Sequence, residues 1–284
     1  FIAGGDLNRS STLNIQRYAS GTSSTNSTSS EDSVKLVAIH GLGSGSTAWN
    51  LIRPELSKHL EFITIDLPGH GQAEMKATED MDPVRLGEII KDELVANGIE
   101  QFHLIGNSLG GWICFEMAAK FPTHVQSVTG VAPAGLWLKA KTHRNGELAI
   151  SRYIARATYK FANQIAHFKF MRAIGFKLVS PKWESFSPET CANAAVAMGS
   201  ATGYYQLWDA FLGNRFDKPI SESIPVTVLF GDTDYTLPVD SCQERTLAPD
   251  HADWIILPNS GHAPMWDSVD AVVAETLNTV KKVI

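Results

Sequence analysis

A serine between two glycines is the first candidate for a reactive side chain in this sequence. Residues 106–110 read Gly-Asn-Ser-Leu-Gly, after an apolar run at 102–105 and before a helical pattern. A sharp turn from strand to helix exposes a serine hydroxyl above a sheet edge, and it needs flanking residues without bulk. A helix that begins at Leu109 also directs free N–H groups toward negative charge that develops beside the serine. The pattern therefore predicts that Ser108 is a nucleophile.

Two later segments offer the partners that a serine nucleophile requires. A serine hydroxyl reacts poorly at neutral pH unless a neutral imidazole takes its proton and a carboxylate fixes the imidazole tautomer. Asp232 and Asp234 follow the apolar run 226–230, and His262 follows the run 254–257. Ligands of open α/β sheets collect at the carboxyl ends of the strands. The residues therefore predict a serine, an acid and a histidine in that chain order, with either aspartate as the acid.

Short apolar runs predict the strands that must position these side chains. The runs are rich in β-branched or aromatic residues and do not alternate strictly, which is typical of parallel strands buried on both faces. A short strand at 13–18 and a polar tract at 20–33, interpreted as a flexible loop, precede them. Helical patterns lie between the runs, and one begins at Pro83 with Asp82 as its expected N-cap. This alternation predicts an α/β fold with a doubly wound, mainly parallel sheet. The predicted strands are 34–39, 62–65, 102–105, 125–131, 226–230 and 254–257, and the helices are 83–97, 109–121 and 269–283.

One block of the chain interrupts this alternation. Residues 135–216 contain no convincing strand, but they contain helical patterns at about 148–174, 188–198 and 204–212. A connection of this length should carry its own structure. We therefore predict a core domain from residues 1–134 and 217–284 and an inserted helical cap, or lid, from residues 135–216.

Composition excludes several classes of function. The chain of 284 residues has 24 basic and 30 acidic residues, and no Lys/Arg run exceeds two, so we expect no nucleic-acid partner. The three cysteines lie far apart, which argues against a disulfide framework and a structural metal. No segment approaches the about 20 apolar residues of a membrane span, and no signal-peptide pattern opens the chain. These features favour a cytoplasmic location and leave the oligomeric state open.

Five ordered motifs resemble those of the α/β-hydrolase superfamily, in its lidded, serine esterase-like branch. They are similar to motifs of bacterial esterases, haloperoxidase-like enzymes and meta-cleavage product hydrolases, and the resemblance runs from about Val34 to the C-terminus. The motifs are His-Gly-Leu-Gly at 40–43, Asp-Leu-Pro-Gly-His-Gly at 66–71, the serine turn, Gly-x-x-Asp-x-x-x-Pro at 231–238 and Gly-His-Ala-Pro at 261–264.

The resemblance implies a role for particular residues. It selects Asp234 over Asp232 as the acid, assigns the oxyanion hole to the backbone N–H groups of Leu42 and Leu109, and gives His40 a structural role. It implies no metal and no organic cofactor. Candidate substrate contacts are Gly41, Asn107, Trp137 and Trp266.

The predicted activity is hydrolysis of small-molecule carboxylic esters with small to medium acyl chains, through an acyl-enzyme. The alternative is a carbon-carbon bond hydrolase of ring-cleavage diketones, which would use a basic residue such as Arg152, Arg156 or Arg172 to hold a carboxylate. A more distant alternative from another class is a non-catalytic ligand-binding receptor that keeps the pocket.

Overall fold

A seven-stranded, mainly parallel sheet forms the centre of the molecule. The structure, a computed structural model, describes residues 13–20, 33–75, 80–144 and 146–283, with the backbone alone at 147–149. The strand order is β1-β3-β2-β4-β5-β6-β7. Strand β1 runs antiparallel to β3, and the other neighbouring pairs are parallel. The strands are β1 (Asn14–Tyr18), β2 (Lys35–Ile39), β3 (Glu61–Asp66), β4 (Phe102–Asn107), β5 (Val125–Val131), β6 (Val226–Gly231) and β7 (Asp253–Leu257).

Helices cover the sheet and fill the long connection between β5 and β6. The predicted cap of α2 is present, because Asp82 Oδ1 accepts a hydrogen bond from the Arg85 backbone N–H at 2.9 Å, and Pro83 opens the helix. The α-helices of the described residues are α1 (Arg53–Leu56), α2 (Pro83–Ala96), α3 (Leu109–Lys120), α4 (Gly146–Thr158), α5 (Ala162–Ile165), α6 (Lys169–Phe176), α7 (Pro188–Ser200), α8 (Tyr204–Phe211), α9 (Val239–Cys242), α10 (Pro264–Asp267) and α11 (Val269–Lys281).

Both faces of the sheet are buried in apolar cores. In β2, Val37 and Ile39 belong to one cluster of buried side chains, whereas Leu36 and Ala38 belong to another. Successive side chains of a strand point to opposite faces, so this division shows that helices pack on both sides of the sheet. The predicted α/β fold with a mainly parallel, doubly wound sheet is confirmed.

The sheet brings three loops to one edge. Strands β4, β6 and β7 are parallel members of the same sheet, so their carboxyl ends meet at the same edge. The loops that leave these ends carry Ser108, Asp234 and His262. These residues are far apart in the sequence but lie at one edge, because their strands belong to one sheet.

The helical insertion, which we define as α4 to α8, is broken more often than the periodicity predicts. The pattern at 148–174 predicts one helix, but the chain forms α4, a 3-10 turn at Tyr159–Phe161, α5 and α6. A continuous helix of that length would be about 40 Å long, whereas α7, against which α4, α5 and α6 pack, has 13 residues and a length of about 20 Å. The breaks fold the three segments back onto α7. The division into core and cap domains stays a prediction.

Two further expectations concern the polar tract at 20–33 and membrane-spanning helices. Most of the predicted polar loop at 20–33 falls at 21–32, which lies outside the described residues. Within the described residues, no helix is both long and apolar enough to span a membrane.

Candidate active site

Ser108 occupies a strained turn between β4 and α3. Its φ is 53° and its ψ is −118°, a left-handed conformation that costs free energy for a residue with a side chain. Neighbouring backbone permits this turn only with glycine on both sides. A Cβ atom on Gly106 would lie 2.4 Å from the Gly110 carbonyl oxygen, and a Cβ on Gly110 would lie 2.0 Å from that of Ile39. The Ser108 N–H donates to the Val131 carbonyl at 3.1 Å, which holds the turn against β5.

Two backbone N–H groups beside Ser108 are free to bind a ligand. A Cβ on Gly41 would lie 3.0 Å from Ser108 Cβ, so the loop after β2 passes directly beside the serine. Leu42 in that loop and Leu109 at the start of α3 both line the same cavity as Ser108. In the part of the chain that the structure describes, neither backbone N–H donates to a protein acceptor. These are the two donors that the resemblance assigns to an oxyanion hole.

His40 holds the loop beside the serine in place. Its Nδ1 lies 2.7 Å from the Gly41 carbonyl, and its Nε2 accepts the Leu67 backbone N–H at 3.0 Å. The second contact requires an unprotonated Nε2, so the proton sits on Nδ1. Complete burial lowers the pKa of His40, which keeps the imidazole neutral. Both ring nitrogens are therefore engaged by backbone, in agreement with the expected structural role.

Asp234 and His262 form a hydrogen-bonded pair. Asp234 Oδ2 lies 2.9 Å from His262 Nδ1, and the carboxylate side chain is fully buried while the imidazole is 14% exposed. Asp234 Oδ1 accepts the backbone N–H groups of Thr236 at 2.9 Å and Leu237 at 2.8 Å. A carboxylate can only accept these bonds, so Nδ1 of a neutral His262 carries the proton and Nε2 keeps its lone pair.

Asp232 has a different task. Its Oδ2 accepts the Asn259 backbone N–H at 3.0 Å, and its Oδ1 accepts the Ser260 N–H at 3.2 Å. The residue is exposed and ties the loop after β6 to the loop after β7. The geometry thus supports Asp234 as the acid and leaves Asp232 as a loop-holding carboxylate.

Two residues that the sequence did not suggest hold the histidine loop. Asp267 Oδ2 accepts the Gly261 backbone N–H at 2.8 Å, and its Oδ1 accepts the Ser180 hydroxyl. Burial raises the pKa of Asp267. The Val179 carbonyl of the segment after α6 accepts the His262 backbone N–H at 2.8 Å. Asp267 lies only five residues after His262, and this closeness along the chain could have pointed to it, whereas a backbone acceptor such as Val179 leaves no signal in the sequence.

A cavity of about 640 Å³ opens onto Ser108 and His262. Its lining is mainly apolar and comes from the strand ends and from the helical insertion. All four candidate substrate contacts line it: Gly41, Asn107, Trp137 and Trp266.

Polar groups of two of these candidates are already engaged by the protein. Asn107 Nδ2 donates to the carbonyls of Val131 at 3.0 Å and His262 at 3.2 Å, and Trp266 Nε1 donates to Ala48 at 2.8 Å. The side chains of Asn107 and Trp266 therefore contribute mainly to the shape of the cavity, because their N–H groups already donate to acceptors within the protein.

Of the three arginines singled out in the insertion, one reaches this cavity. Arg172 lines it and donates from Nη1 to the Phe186 carbonyl at 2.6 Å, and no carboxylate of the described residues pairs with it. Arg152 is buried and donates to the Gly199 and Ala201 carbonyls, and Arg156 is exposed and outside the lining. No group of three or more metal-ligating side chains occurs among the residues that the structure describes.

Comparison with known proteins identifies the family. The family model for the alpha/beta hydrolase fold matches residues 35–269. An uncharacterized protein of Mycobacterium tuberculosis is 28% identical over 82% of this chain and 71% of its own length. The pimeloyl-[acyl-carrier protein] methyl ester esterase of Vibrio atlanticus is 23% identical over 87% of this chain and 94% of its own. The 2-hydroxy-6-oxo-6-phenylhexa-2,4-dienoate hydrolase of Comamonas testosteroni is 23% identical over 83% of each chain.

Solved structures agree on the fold. A bromoperoxidase from Bacillus anthracis superposes with a TM-score of 0.70 and 16% identity, covering 95% of both chains. A meta-cleavage product hydrolase from Pseudomonas fluorescens IP01 gives a TM-score of 0.67 at 16% identity, with 95% of this chain and 94% of the other covered. The family match spans most of the sheet and all three loops at its carboxyl edge. The chain therefore belongs to the alpha/beta hydrolase family and is a hydrolase.

Proposed function

We propose that this hydrolase cleaves carboxylic esters through Ser108, His262 and Asp234. The observation that carries the proposal is the 2.9 Å pair between Asp234 and His262, because the imidazole of this pair lines the same cavity as Ser108. The pair leaves the Nε2 lone pair of His262 as the available base. The strained serine and the two unengaged N–H groups of Leu42 and Leu109 supply the other parts that acyl transfer requires.

The reaction follows from these positions. His262 Nε2 takes the Ser108 proton as the hydroxyl oxygen attacks the ester carbonyl, and Asp234 stabilises the imidazolium. The Leu42 and Leu109 N–H groups bind the oxyanion, each worth about 3 kcal/mol in the transition state. The alcohol leaves with the proton from His262. Water, activated by the same histidine, then attacks the acyl-enzyme and releases the acid.

The test compares two serines that line the cavity. Ser44 also lines the cavity, so Ser44→Ala is a control for Ser108→Ala. We expect Ser108→Ala to lose almost all hydrolysis of p-nitrophenyl esters and all labelling by a fluorophosphonate probe, while Ser44→Ala keeps both. Labelling of another residue, or full turnover by Ser108→Ala, would refute the assignment. An intact protein with an unreactive Ser108 would instead favour the non-catalytic receptor.

The second candidate function is cleavage of a carbon-carbon bond in an anionic ring-cleavage diketone. The observation that favours it is Arg172, an arginine at the cavity with no paired carboxylate in the described part of the chain. A guanidinium in a largely apolar site is suited to a substrate carboxylate. The Comamonas relative acts on a dienoate, as its name states.

One comparison separates the two candidates. Turnover of 2-hydroxy-6-oxo-6-phenylhexa-2,4-dienoate is measured beside that of neutral p-nitrophenyl esters, in the wild type and in Arg172→Met. A carbon-carbon hydrolase should prefer the dienoate. Arg172→Met should lose that preference because the KM for the dienoate rises. Turnover confined to the neutral esters and unchanged in Arg172→Met would support the ester hydrolase.

A further inference from the structure

Helix α6 presents large apolar side chains to solvent. Phe170 and Ile174 of α6 are 74% and 52% exposed, and Leu178, in the turn after the helix, is 64% exposed. Phe170 and Ile174 are four residues apart and therefore lie on one face of the helix. Phe168, just before the helix, is 64% exposed. Together these side chains form an apolar stripe that is left exposed by the described part of the chain.

Helix α4 and the 3-10 turn that follows it carry a second stripe. Ile150, Tyr153 and Ile154 are 63%, 74% and 40% exposed, and Phe161 is 61% exposed. Ile150 lies three and four residues before Tyr153 and Ile154, so these three side chains share one face of α4, and Phe161 lies in the 3-10 turn that follows. We call the two stripes together the apolar patch: Ile150, Tyr153, Ile154, Phe161, Phe168, Phe170, Ile174 and Leu178.

The apolar patch borders the candidate active site. Ile154 from one stripe and Ile174 from the other are both exposed, and both line the cavity that holds Ser108. Each stripe therefore has one side chain at the cavity. A surface that covers the patch would also face the route by which a substrate enters.

The segment that carries the apolar patch is rich in basic residues. Residues 139–182 contain ten Lys or Arg and one acidic residue, a formal charge of +9, whereas the whole chain has a net charge of −6. Arg156, Lys160 and Lys177 are exposed, and no carboxylate of the described residues lies within ion-pair distance of them. Lys177 follows Phe170 by seven residues, two helical turns, so it lies beside the apolar stripe of α6.

We propose that the apolar patch docks this protein on an anionic lipid surface, with the cavity opening toward the lipid. Helices that lie in a membrane interface insert apolar side chains and place Lys and Arg against anionic headgroups. A second copy of the chain fits poorly, because pairing two such patches would oppose two clusters of positive charge. The apolar surface and the charge together therefore favour a lipid bilayer.

Vesicle sedimentation tests the proposal with the full chain. Phosphatidylcholine vesicles, with and without phosphatidylserine, are mixed with the wild type and two variants. One variant removes apolar surface (Phe170→Ser with Leu178→Ser), and the other removes charge (Arg156→Gln, Lys160→Gln and Lys177→Gln). None of these five residues lines the cavity.

Each variant has a matched control on the surface outside the helical insertion. Leu51→Ser with Ile256→Ser changes two apolar side chains that are 41% and 46% exposed. Lys58→Gln, Lys281→Gln and Lys282→Gln remove three exposed charges. Thermal unfolding checks that every variant is folded, and sedimentation velocity without vesicles reports self-association.

The expected result is sedimentation with the phosphatidylserine vesicles, weakened by salt and much weaker on phosphatidylcholine alone. Affinity should fall about fivefold for each charge removed, roughly 100-fold for the charge variant. The apolar variant should also lose binding, and both controls should keep it. The proposal is overturned if the wild-type protein stays in the supernatant with phosphatidylserine vesicles, or if the variants bind these vesicles as well as their controls do. It is also overturned if the apolar patch mediates a dimer and the protein does not bind vesicles. Since binding requires no hydrolysis, this outcome is separate from that of the proposed function.

Discussion

Replacing Asp234 by asparagine tests the candidate site most sharply, because the structure dictates how the new side chain must lie. The Oδ1 position receives two backbone N–H groups, from Thr236 at 2.9 Å and Leu237 at 2.8 Å. An amide NH₂ at that position would oppose two donors. The asparagine oxygen must therefore occupy it, and the NH₂ group must face His262.

This orientation reverses the tautomer of the histidine. An NH₂ group is a donor, so it favours a neutral His262 with its lone pair on Nδ1 and its proton on Nε2. The nitrogen that should take the Ser108 proton is then already protonated. A wrong tautomer in a serine triad of known mechanism lowers kcat about 10⁴-fold, which corresponds to about 5.5 kcal/mol in the activation free energy. We expect a loss of that order for Asp234→Asn.

The assay is kcat on a p-nitrophenyl ester, with ¹⁵N chemical shifts of His262 as an independent report of its tautomer. Asp232→Asn is the matched control, because that carboxylate also accepts two backbone N–H groups but lies away from the histidine ring. It should cost about 1 kcal/mol in the free energy of unfolding and leave kcat nearly unchanged. A kcat of Asp234→Asn within tenfold of the wild type, or an unchanged tautomer, would show that Asp234 does not set the protonation of His262.

Three further outcomes are expected. Burial lowers the pKa of His103 to about 4, so the folded chain keeps it neutral while the unfolded chain gains a proton below about pH 6.5. The free energy of unfolding should therefore fall by about 3 kcal/mol between pH 6.5 and 4 through this residue, and urea titrations of His103→Gln should lack that part of the decline. Gly110→Ala places a Cβ 2.0 Å from the Ile39 carbonyl oxygen and should destabilise the fold by about 3 kcal/mol or more, whereas Gly146→Ala, with open space around it, should unfold at nearly the wild-type temperature. Trp137→Leu enlarges the cavity, so kcat/KM across p-nitrophenyl esters should shift toward longer acyl chains; an unchanged ratio would exclude Trp137 from the acyl pocket.

The sequence predicted the parts of this molecule that local patterns encode. Apolar runs located the strands to within about two residues, and the glycines around Ser108 predicted a turn. The structure explains these glycines, because a Cβ atom on either one would collide with backbone atoms. The motifs placed Ser108, Asp234 and His262 on loops that the sheet does bring to one edge. Their catalytic roles stay predictions until the variants are measured.

The contacts that the sequence could not predict join distant backbone. The breaks in the 148–174 pattern arise from packing against α7, which leaves no mark on local periodicity. The bond from His262 to the Val179 carbonyl spans more than eighty residues and involves no side chain. The formal charge of residues 139–182 can be counted from the sequence. Its link to a docking surface also depends on the exposure of the neighbouring apolar side chains, which only the structure shows.

The close approach between the histidine loop and the segment after α6 ties the helical insertion to the candidate active site. The Val179 carbonyl accepts the His262 N–H, and a Cβ on Gly261 would lie 2.2 Å from that same oxygen. Any displacement of this segment therefore pulls on the backbone that carries the imidazole. A chimera that exchanges the insertion for that of a relative must reproduce the path of the chain at residue 179. We therefore expect an exchange of the insertion to shift the backbone of His262 as well as to change the lining of the cavity.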